Sequence, residues 1–243
     1  MSGTASKPGS KPRLLDLFCG AGGAAMGYHR AGFEVVGVDI KPQPRYPFSF
    51  IHMDAFEALE ILTRGRALQA EFDAIHASPP CQAYTKASKL QGNEHPDLIG
   101  PTRELLEATG LPYVIENVKG APLINPVLLE GQMFPELRTH RPRLFETNWG
   151  FLVDAMRHPP PRNVKMGRPA TEEEWIQVVG HFSDVNAGRR AMGIDWMTRD
   201  ELSEAIPPSY TEFIGGQLME YLNKTTRWYE AHPNAGAVGR GPA

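Results

Sequence analysis

The sequence has few cysteines, no long apolar run and no excess of positive charge. Its two cysteines, Cys19 and Cys81, exclude a disulfide framework and a four-cysteine zinc site. No segment approaches the roughly 18 apolar residues that a membrane-spanning helix needs. No apolar stretch follows the first lysines, so no signal peptide is expected. These absences favour a reduced, soluble, cytoplasmic protein.

The charge balance excludes binding to a polyanion by bulk charge alone. Lys and Arg number 25 against 28 Asp and Glu, which gives a formal net charge of −3. A local basic face is still compatible with the sequence, because residues 138–168 hold seven basic and two acidic residues. With 41% hydrophobic and 22% charged residues, the chain is not globally disordered.

Short β-rich segments alternate with segments of helical periodicity. Strands are predicted at 14–18, 34–40, 48–53, 72–77 and 113–118, with a further one at 144–145. Helices are predicted at 24–31, 55–70, 102–109 and 209–223. This alternation predicts an α/β fold, a doubly wound, mostly parallel Rossmann-like sheet with helices on both faces. Ligands of such sheets bind beyond the carboxyl ends of the strands.

Composition divides the chain into five segments. We expect a disordered leader at 1–12, a catalytic and cofactor-binding domain at 13–147, a small irregular lobe at 148–188, a segment returning to the catalytic domain at 189–230 and a flexible tail at 231–243. Prolines and glycines break any long element in the small lobe.

A glycine-rich turn follows the first predicted strand. Gly20–Gly23 would let a ligand approach the backbone at a helix N-terminus. Asp39 ends the second strand, where an acid can accept both hydroxyls of a ribose, and Asp54 ends the third, within reach of an adenine amino group. Together they indicate an adenosine-containing cofactor; a purely structural turn is the alternative. The glycine spacing disfavours NAD.

Cys81 follows two prolines that form a rigid elbow after the fourth strand. The elbow presents the thiol at the start of a polar loop, residues 82–97, where a nucleophile is a candidate and an inert structural cysteine is the alternative. Cys19, inside the glycine turn, is expected to be structural. If the first and fourth strands are neighbours, the two thiols could form an oxidation-sensitive pair.

Glu116 and two arginines complete the set of candidate catalytic residues. Glu116 lies in an apolar strand, where burial would raise its pKa and make it a proton donor near neutrality. Arg141 and Arg143 lie two residues apart, so on an extended chain they share a side and could form a fork for a phosphate or a base carbonyl. The alternative for Glu116 is a structural ion pair, and the alternative for the two arginines is a solvated basic strand end.

Taken in order, these segments resemble the motifs of DNA cytosine-C5 methyltransferases. The matching segments are 16–23, 39–40, 54, 78–82, 116–118, 141 with 143, and 206–215, which together span most of the chain. The resemblance implies that a methyl group passes from S-adenosyl-L-methionine to C5 of a cytosine flipped out of duplex DNA. Cys81 would add to C6, Glu116 would contact N3, and Arg141 and Arg143 would hold O2 and the adjacent phosphate.

The resemblance also assigns binding residues, and it implies no metal site. Those expected around the cofactor are Phe18, Gly20, Ala21, Gly22, Gly23, Asp39, Ile40, Asp54, Ala55, Pro79, Ala205 and Ile206. Those expected against DNA are Gln82, Ser88, Asn117, Arg162, Lys165 and Arg168. We expect a monomer in a bacterial or phage-infected cell, acting on the nucleoid in restriction–modification, host evasion or regulation.

The sequence departs from the family pattern in two places. Only 43 residues separate Phe145 from Arg189, which is short for target recognition and predicts short or relaxed sequence specificity. Glu204 stands where an asparagine is expected near the cofactor. Two alternatives stay open: the same chemistry on tRNA or on free or single-stranded cytidine, and a catalytically silent DNA-binding relative.

Overall fold

A computed structural model describes residues 10–65, 69–81, 84, 96–153, 171 and 174–232. The strands are β1 (Arg13–Leu17), β2 (Glu34–Asp39), β3 (Ser49–His52), β4 (Ala74–Ala77), β5 (Tyr113–Asn117), β6 (Val127–Leu129) and β7 (Arg143–Thr147). The helices are α1 (Gly23–Arg30), α2 (Ala55–Arg64), α3 (Ile99–Thr109), α4 (Val185–Met192), α5 (Arg199–Glu204) and α6 (Pro208–Ala231). A short 3₁₀ helix, Gly131–Met133, follows β6.

The seven strands form one sheet in the order β3-β2-β1-β4-β5-β7-β6. Strands β1 to β5 pair in parallel, whereas β7 runs antiparallel to both β5 and β6. The predicted mostly parallel α/β sheet is therefore confirmed. The order reverses at β1 and β4, so the carboxyl ends of these two strands border the crevice where ligands of such sheets bind.

Helices cover both faces of the sheet, because successive residues of a strand point to opposite sides. On one face, Leu14 of β1 joins Tyr28 of α1 and Tyr210 of α6 in a buried cluster. On the other face, Leu15 joins Leu59 of α2 and Leu106 of α3. Burying a side chain of this size stabilises the fold by about 1.5–3 kcal/mol, so both layers hold the sheet in place beneath the site.

Several elements differ in extent from the sequence prediction. Helix α2 begins at Ala55, where the side chain of the preceding Asp54 caps it, and ends at Arg64 rather than at residue 70, because Gly65 adopts an extended conformation. Helix α3 begins three residues earlier than predicted, and α6 continues to Ala231. Strand β6 and helices α4 and α5 are short elements that the periodicity did not indicate.

Nearly half of the small lobe expected at 148–188, namely residues 154–170, 172 and 173, falls outside the described residues. Its described end packs on the rest of the chain, because Val178 and Phe182 share a buried cluster with Ala21 and Met192. Within the ranges given above, no helix combines the length and the apolar character needed to cross a membrane.

Candidate active site

The glycine turn lies at the carboxyl end of β1 and leads directly into α1. Its backbone is folded tightly: φ is +56° at Phe18, +49° at Gly20 and +87° at Gly22. A Cβ atom at Gly22 would lie 2.8 Å from the Cδ atom of Pro47, so this position needs glycine both for its φ and for space. The turn thus exposes backbone rather than side chains at the N-terminus of α1.

Asp39, at the end of β2, is tied to this turn. Its carboxylate accepts the backbone N–H of Gly20 at 3.0 Å and that of Lys41 at 2.9 Å. An ionised carboxylate offers about four acceptor positions, so it can take further donors such as ribose hydroxyls. Ile40, the next residue, is 63% exposed, which leaves an apolar side chain open beside the turn.

Asp54 has a structural role that the sequence interpretation did not include. It is the N-cap of α2 and accepts the backbone N–H groups of Phe56 and Glu57. Both bonds end on Oδ1, at 2.8 and 3.3 Å, so Oδ2 takes no part in the cap. The rings of Phe18 and Phe56 meet edge to face with centroids 6.2 Å apart, which joins this helix start to the glycine turn. Ala55 is buried in the first turn of the helix.

Asp16 is a residue that the sequence interpretation passed over. It lies within buried β1, and its Oδ1 atom has no hydrogen-bond partner among the residues that the structure describes. The Tyr46 hydroxyl donates to Oδ2 at a long 3.5 Å. Burial raises the pKa of Asp16 to about 8. A buried acceptor without a donor is costly, and an acidic residue in an otherwise apolar strand was the signal that could have marked it.

The Pro-Pro elbow is held in place by Asn117 at the end of β5. The Asn117 side chain is buried; its Nδ2 donates to the Pro79 carbonyl at 2.9 Å, and its Oδ1 accepts the Val118 N–H at 2.9 Å. In this structure the Asn117 amide is buried against backbone, and a contact of Asn117 with DNA stays a prediction. Its role is to fix Pro79, which is itself buried, and so to fix the start of the segment that carries Cys81.

Cys81, Glu116 and Arg143 are brought together at this end of the sheet. Arg143 Nε lies 2.9 Å from Glu116 Oε1. The Cys81 thiol is half-buried, and burial raises its pKa, an effect that the Arg143 guanidinium opposes and the Glu116 carboxylate reinforces. Burial also raises the pKa of Glu116, against the opposing charges of Arg143 and Arg141. A thiol, a carboxyl group and a guanidinium therefore share one electrostatic environment.

Arg141 does not form the expected fork with Arg143. It is buried, and its three guanidinium nitrogens donate to the carbonyls of Val178, Ser203 and Ala205 at 2.6–2.7 Å. Burial, with the charge of Arg143, lowers its pKa to about 9. Because its donors point to backbone, Arg141 joins β7 to the C-terminal segment. The assignment of Arg141 to a phosphate or base oxygen stays a prediction, while in this structure all three guanidinium nitrogens bond backbone carbonyls.

The C-terminal segment returns to the glycine turn, as expected for residues 205 and 206. A Cβ atom at Gly23 would lie 2.5 Å from the Ile206 carbonyl and 3.2 Å from the Ala205 Cβ. Trp196, which the sequence interpretation missed, donates from Nε1 to the Ala21 carbonyl at 2.8 Å. Glu204, where an asparagine was expected, is the exposed last residue of α5.

Most of the predicted DNA contacts fall in segments that the structure does not describe. Five of the predicted DNA contacts lie outside the described residues: Gln82, Ser88, Arg162, Lys165 and Arg168.

Strand β1 does lie beside β4, as a Cys19–Cys81 pair would require. However, Cys19 is buried, and burial raises the pKa of its thiol far above the ordinary value. Over the described ranges, no cluster of three or more His, Cys, Asp or Glu residues is arranged to hold a metal ion.

Comparison with protein families gives one match. Residues 13–122 match the model of the C-5 cytosine-specific DNA methylase family. The matched segment contains the glycine turn, Cys81 and Glu116, and it ends before the two arginines.

Curated relatives match less than half of the chain. The Type II methyltransferase M.AquIA of Picosynechococcus sp. is 31% identical over 121 residues, which cover 44% of this chain and 49% of that protein. The Type II methyltransferase M.HgiGI of Herpetosiphon aurantiacus is 33% identical over 84 residues, which cover 32% of this chain and 65% of that protein. The chain therefore matches about half to two thirds of the length of these relatives.

Solved structures share the fold over most of the chain. A protein described as a DNA modification methyltransferase encoded within an E. coli prophage superposes with a TM-score of 0.60 at 15% identity, covering 87% of this chain and 99% of that one. The Dnmt2 methyltransferase of S. pombe superposes with a TM-score of 0.52 at 12% identity, covering 88% and 100%. At these identities the likeness establishes the architecture alone.

Proposed function

We propose that this chain, whose residues 13–122 match the model of the C-5 cytosine-specific DNA methylase family, transfers a methyl group from S-adenosyl-L-methionine to C5 of cytosine in DNA. The observation that carries the proposal is the grouping of Cys81, Glu116 and Arg143 at the edge of the sheet that also holds the glycine turn. Cytosine C5 is a poor nucleophile, and these three groups supply what it needs to react.

Cys81 is the nucleophile of the proposed reaction. Its thiolate forms a bond from Sγ to C6 of the base, which turns C5 and C6 into the nucleophilic end of an enamine. S-adenosyl-L-methionine supplies an electrophilic methyl group to C5. Loss of the C5 proton to solvent and return of the N3 proton to Glu116 then restore the double bond and expel Cys81 as a thiolate, so the enzyme is regenerated.

Glu116 and Arg143 balance the charge that develops on the ring. Burial raises the pKa of Glu116 and so favours the protonated carboxyl group; in the proposed reaction that proton passes to N3 as Cys81 adds to C6. The Arg143 guanidinium favours the thiolate of Cys81, and in the proposed reaction it holds the base O2. Burial raises the pKa of Cys81 and so favours its thiol form, an effect that the Arg143 guanidinium opposes.

The residues around the glycine turn fit the methyl donor. Asp39 retains acceptor positions for ribose hydroxyls, and Asp54 Oδ2 takes no part in the helix cap. The unpartnered Oδ1 of buried Asp16 is suited to a positively charged ligand, and the donor carries both an ammonium and a sulfonium. Phe18 and the exposed Ile40 offer apolar contacts for an adenine ring.

The test is transfer of tritiated methyl groups from S-adenosyl-L-methionine to duplex DNA, tRNA and dCTP, measured side by side. Duplex DNA is expected to accept the label, with 5-methylcytosine found by bisulfite sequencing. Labelling confined to tRNA or dCTP would replace the DNA assignment by the alternative substrates. No labelling of any of the three, with cofactor binding intact, would favour the catalytically silent relative.

A further inference from the structure

The turn that leads into β7 has an unusual backbone conformation at Arg141. Its φ is +30°, in the left-handed region that residues other than glycine seldom adopt. Pro142 follows directly, and the residue before a proline is normally restricted to extended conformations. Such a conformation persists only where neighbouring groups hold it. The pairing of β7 with its neighbours begins only at Arg143, so the groups that hold Arg141 must lie elsewhere.

Tyr210, in the first turn of α6, holds this turn through its hydroxyl. The hydroxyl donates to the Arg141 carbonyl at 2.9 Å and lies 3.4 Å from the His140 carbonyl. The ring is fully buried and packs against Phe134 and Phe145, with centroids 5.0 and 6.2 Å away. The packing of the ring therefore fixes the position from which the hydroxyl donates.

The side chain of Arg141 fixes the same residue from its other end. Its guanidinium donates to backbone carbonyls that include those of Ser203 and Ala205, both at 2.7 Å. The backbone and the side chain of Arg141 are thus both held by residues 203–210. This part of the C-terminal segment also contains Ala205, which lies against the glycine turn.

Arg143 follows this turn and contacts the candidate site. Its Nε atom lies 2.9 Å from Glu116 Oε1, and its Nη1 donates to the Pro142 carbonyl at 2.9 Å. The peptide between Arg141 and Pro142, whose carbonyl accepts from Tyr210, lies just before these atoms in the chain. A change in the direction of that peptide would move Pro142, and with it the carbonyl that holds the Arg143 guanidinium.

We infer that Tyr210 is a positioning residue, which holds the peptide between Arg141 and Pro142 and so directs the Arg143 guanidinium to Glu116. The inference rests on the proposed function for what Arg143 and Glu116 do to a base. It goes further in giving α6 a part in the arrangement of these groups. The hydrogen bonds that carry it end on backbone carbonyls, so they do not depend on whether Glu116 is protonated.

Removing the Tyr210 hydroxyl tests this arrangement. In Tyr210→Phe the Arg141 carbonyl loses a donor while the buried ring stays, so the Arg143 guanidinium should leave its place beside Glu116. An opposite charge within about 4–6 Å lowers the pKa of a carboxyl group by roughly 1–3 units. We expect the pKa of Glu116 to rise by about one unit in Arg143→Met, which removes the charge, and by about 0.5 units in Tyr210→Phe, which displaces it.

The measurement is made on the full chain without cofactor or DNA. Carbon-13 NMR of labelled glutamate carboxyl groups, with the Glu116 signal assigned through Glu116→Gln, gives the pKa. The other ionisable groups that act on Glu116 are Arg141, Cys81 and Tyr28, and none of them is altered. Burial raises the pKa of Tyr210 above its ordinary value, so Tyr210→Phe itself removes no charge near neutrality.

Two further variants complete the comparison. Tyr221→Phe is the matched control, because it removes the same hydroxyl about three turns further along α6, where the side chain is 37% exposed. It should leave the pKa of Glu116 unchanged. Arg141→Lys keeps the positive charge but has one nitrogen in place of three, so it releases the same turn from its other end. It should raise the pKa of Glu116, and it carries the test if Tyr210→Phe does not fold.

The NMR result and the methyl-transfer result separate the two proposals. An upward shift in Tyr210→Phe, with none in Tyr221→Phe, supports the positioning role even if no substrate accepts a methyl group. A shift in Arg143→Met, with an unchanged Glu116 pKa in the folded Tyr210→Phe or Arg141→Lys variant, overturns the inference and leaves the proposed reaction standing. A Glu116 pKa that does not respond to Arg143→Met overturns the inference as well.

Discussion

At the scale of single residues, carboxylates at strand ends combine structural and binding roles. Asp39 closes the glycine turn through Gly20, and Asp54 caps α2. The sequence interpretation treated both as cofactor ligands and could not foresee the backbone bonds, because a cap and a ligand use the same residue types at the same positions. The functional hypothesis survives for each, since each carboxylate retains free acceptor positions.

Replacing Asp39 should weaken cofactor binding strongly. Asp39→Ala removes the acceptor proposed for the ribose hydroxyls and also releases Gly20 from the end of β2. We expect the Kd for S-adenosyl-L-methionine to rise at least about tenfold, which corresponds to the 1.5–3 kcal/mol of charged hydrogen bonds. Isothermal titration calorimetry measures this, with Asp195→Asn, an exposed aspartate after α4, as the control. An unchanged Kd would refute the ribose assignment.

Asp16 makes stability depend on pH. Its pKa rises from 3.8 in the unfolded chain to about 8 in the folded one. Because the folded state disfavours the ionised form, the stabilising contribution of the protonated carboxyl is present at low pH. It is lost as the pH rises from about 4 to about 8, by at most about 1.4 kcal/mol per unit.

The variant Asp16→Asn should abolish this dependence. We expect its free energy of unfolding to exceed that of the unaltered protein at about pH 8, and the difference to shrink at about pH 5. Urea unfolding at the two pH values measures it. Equal pH dependence in both proteins would mean that Asp16 is ionised in the folded chain without a penalty.

At the scale of elements, the contact between α1 and α6 holds the glycine turn in position. Gly27 of α1 leaves no room for a side chain, since a Cβ atom there would lie 2.1 Å from both the Pro208 carbonyl oxygen and Thr211 Oγ1. Thr211 Oγ1 also donates to the Ala24 carbonyl at 2.8 Å. The two helices therefore approach at backbone distance directly behind the N-terminus of α1.

Two glycine substitutions should separate close packing from helix propensity. Gly27→Ala forces α1 and α6 apart and should destabilise the fold by about 1–3 kcal/mol or more, as overpacking does. Gly100→Ala, in α3, has no heavy atom within 4 Å of the new Cβ and should stabilise by up to about 1 kcal/mol. Thermal unfolding of both variants measures this. A neutral Gly27→Ala would contradict the close helix contact.

At the scale of the whole molecule, the sequence predicted the sheet better than the site. Strands β1 to β5 follow from apolar runs bounded by glycine, proline and acidic residues, and such local patterns are readable without tertiary information. The contacts of Arg141 could not be predicted from the sequence, because they depend on where residues 178 and 203–205 lie in the fold. The same holds for Asn117 and Pro79, which are 38 residues apart.

The most direct test of the account is covalent trapping by duplex DNA that carries 5-fluorocytosine, in the presence of S-adenosyl-L-methionine. Fluorine at C5 cannot be lost as a proton is, so the bond between Cys81 and C6 should persist. We predict a denaturant-resistant protein–DNA adduct for the unaltered chain, with the modified peptide containing Cys81, and none for Cys81→Ala. An adduct that persists in Cys81→Ala, or methyl transfer by that variant, would contradict the central claim.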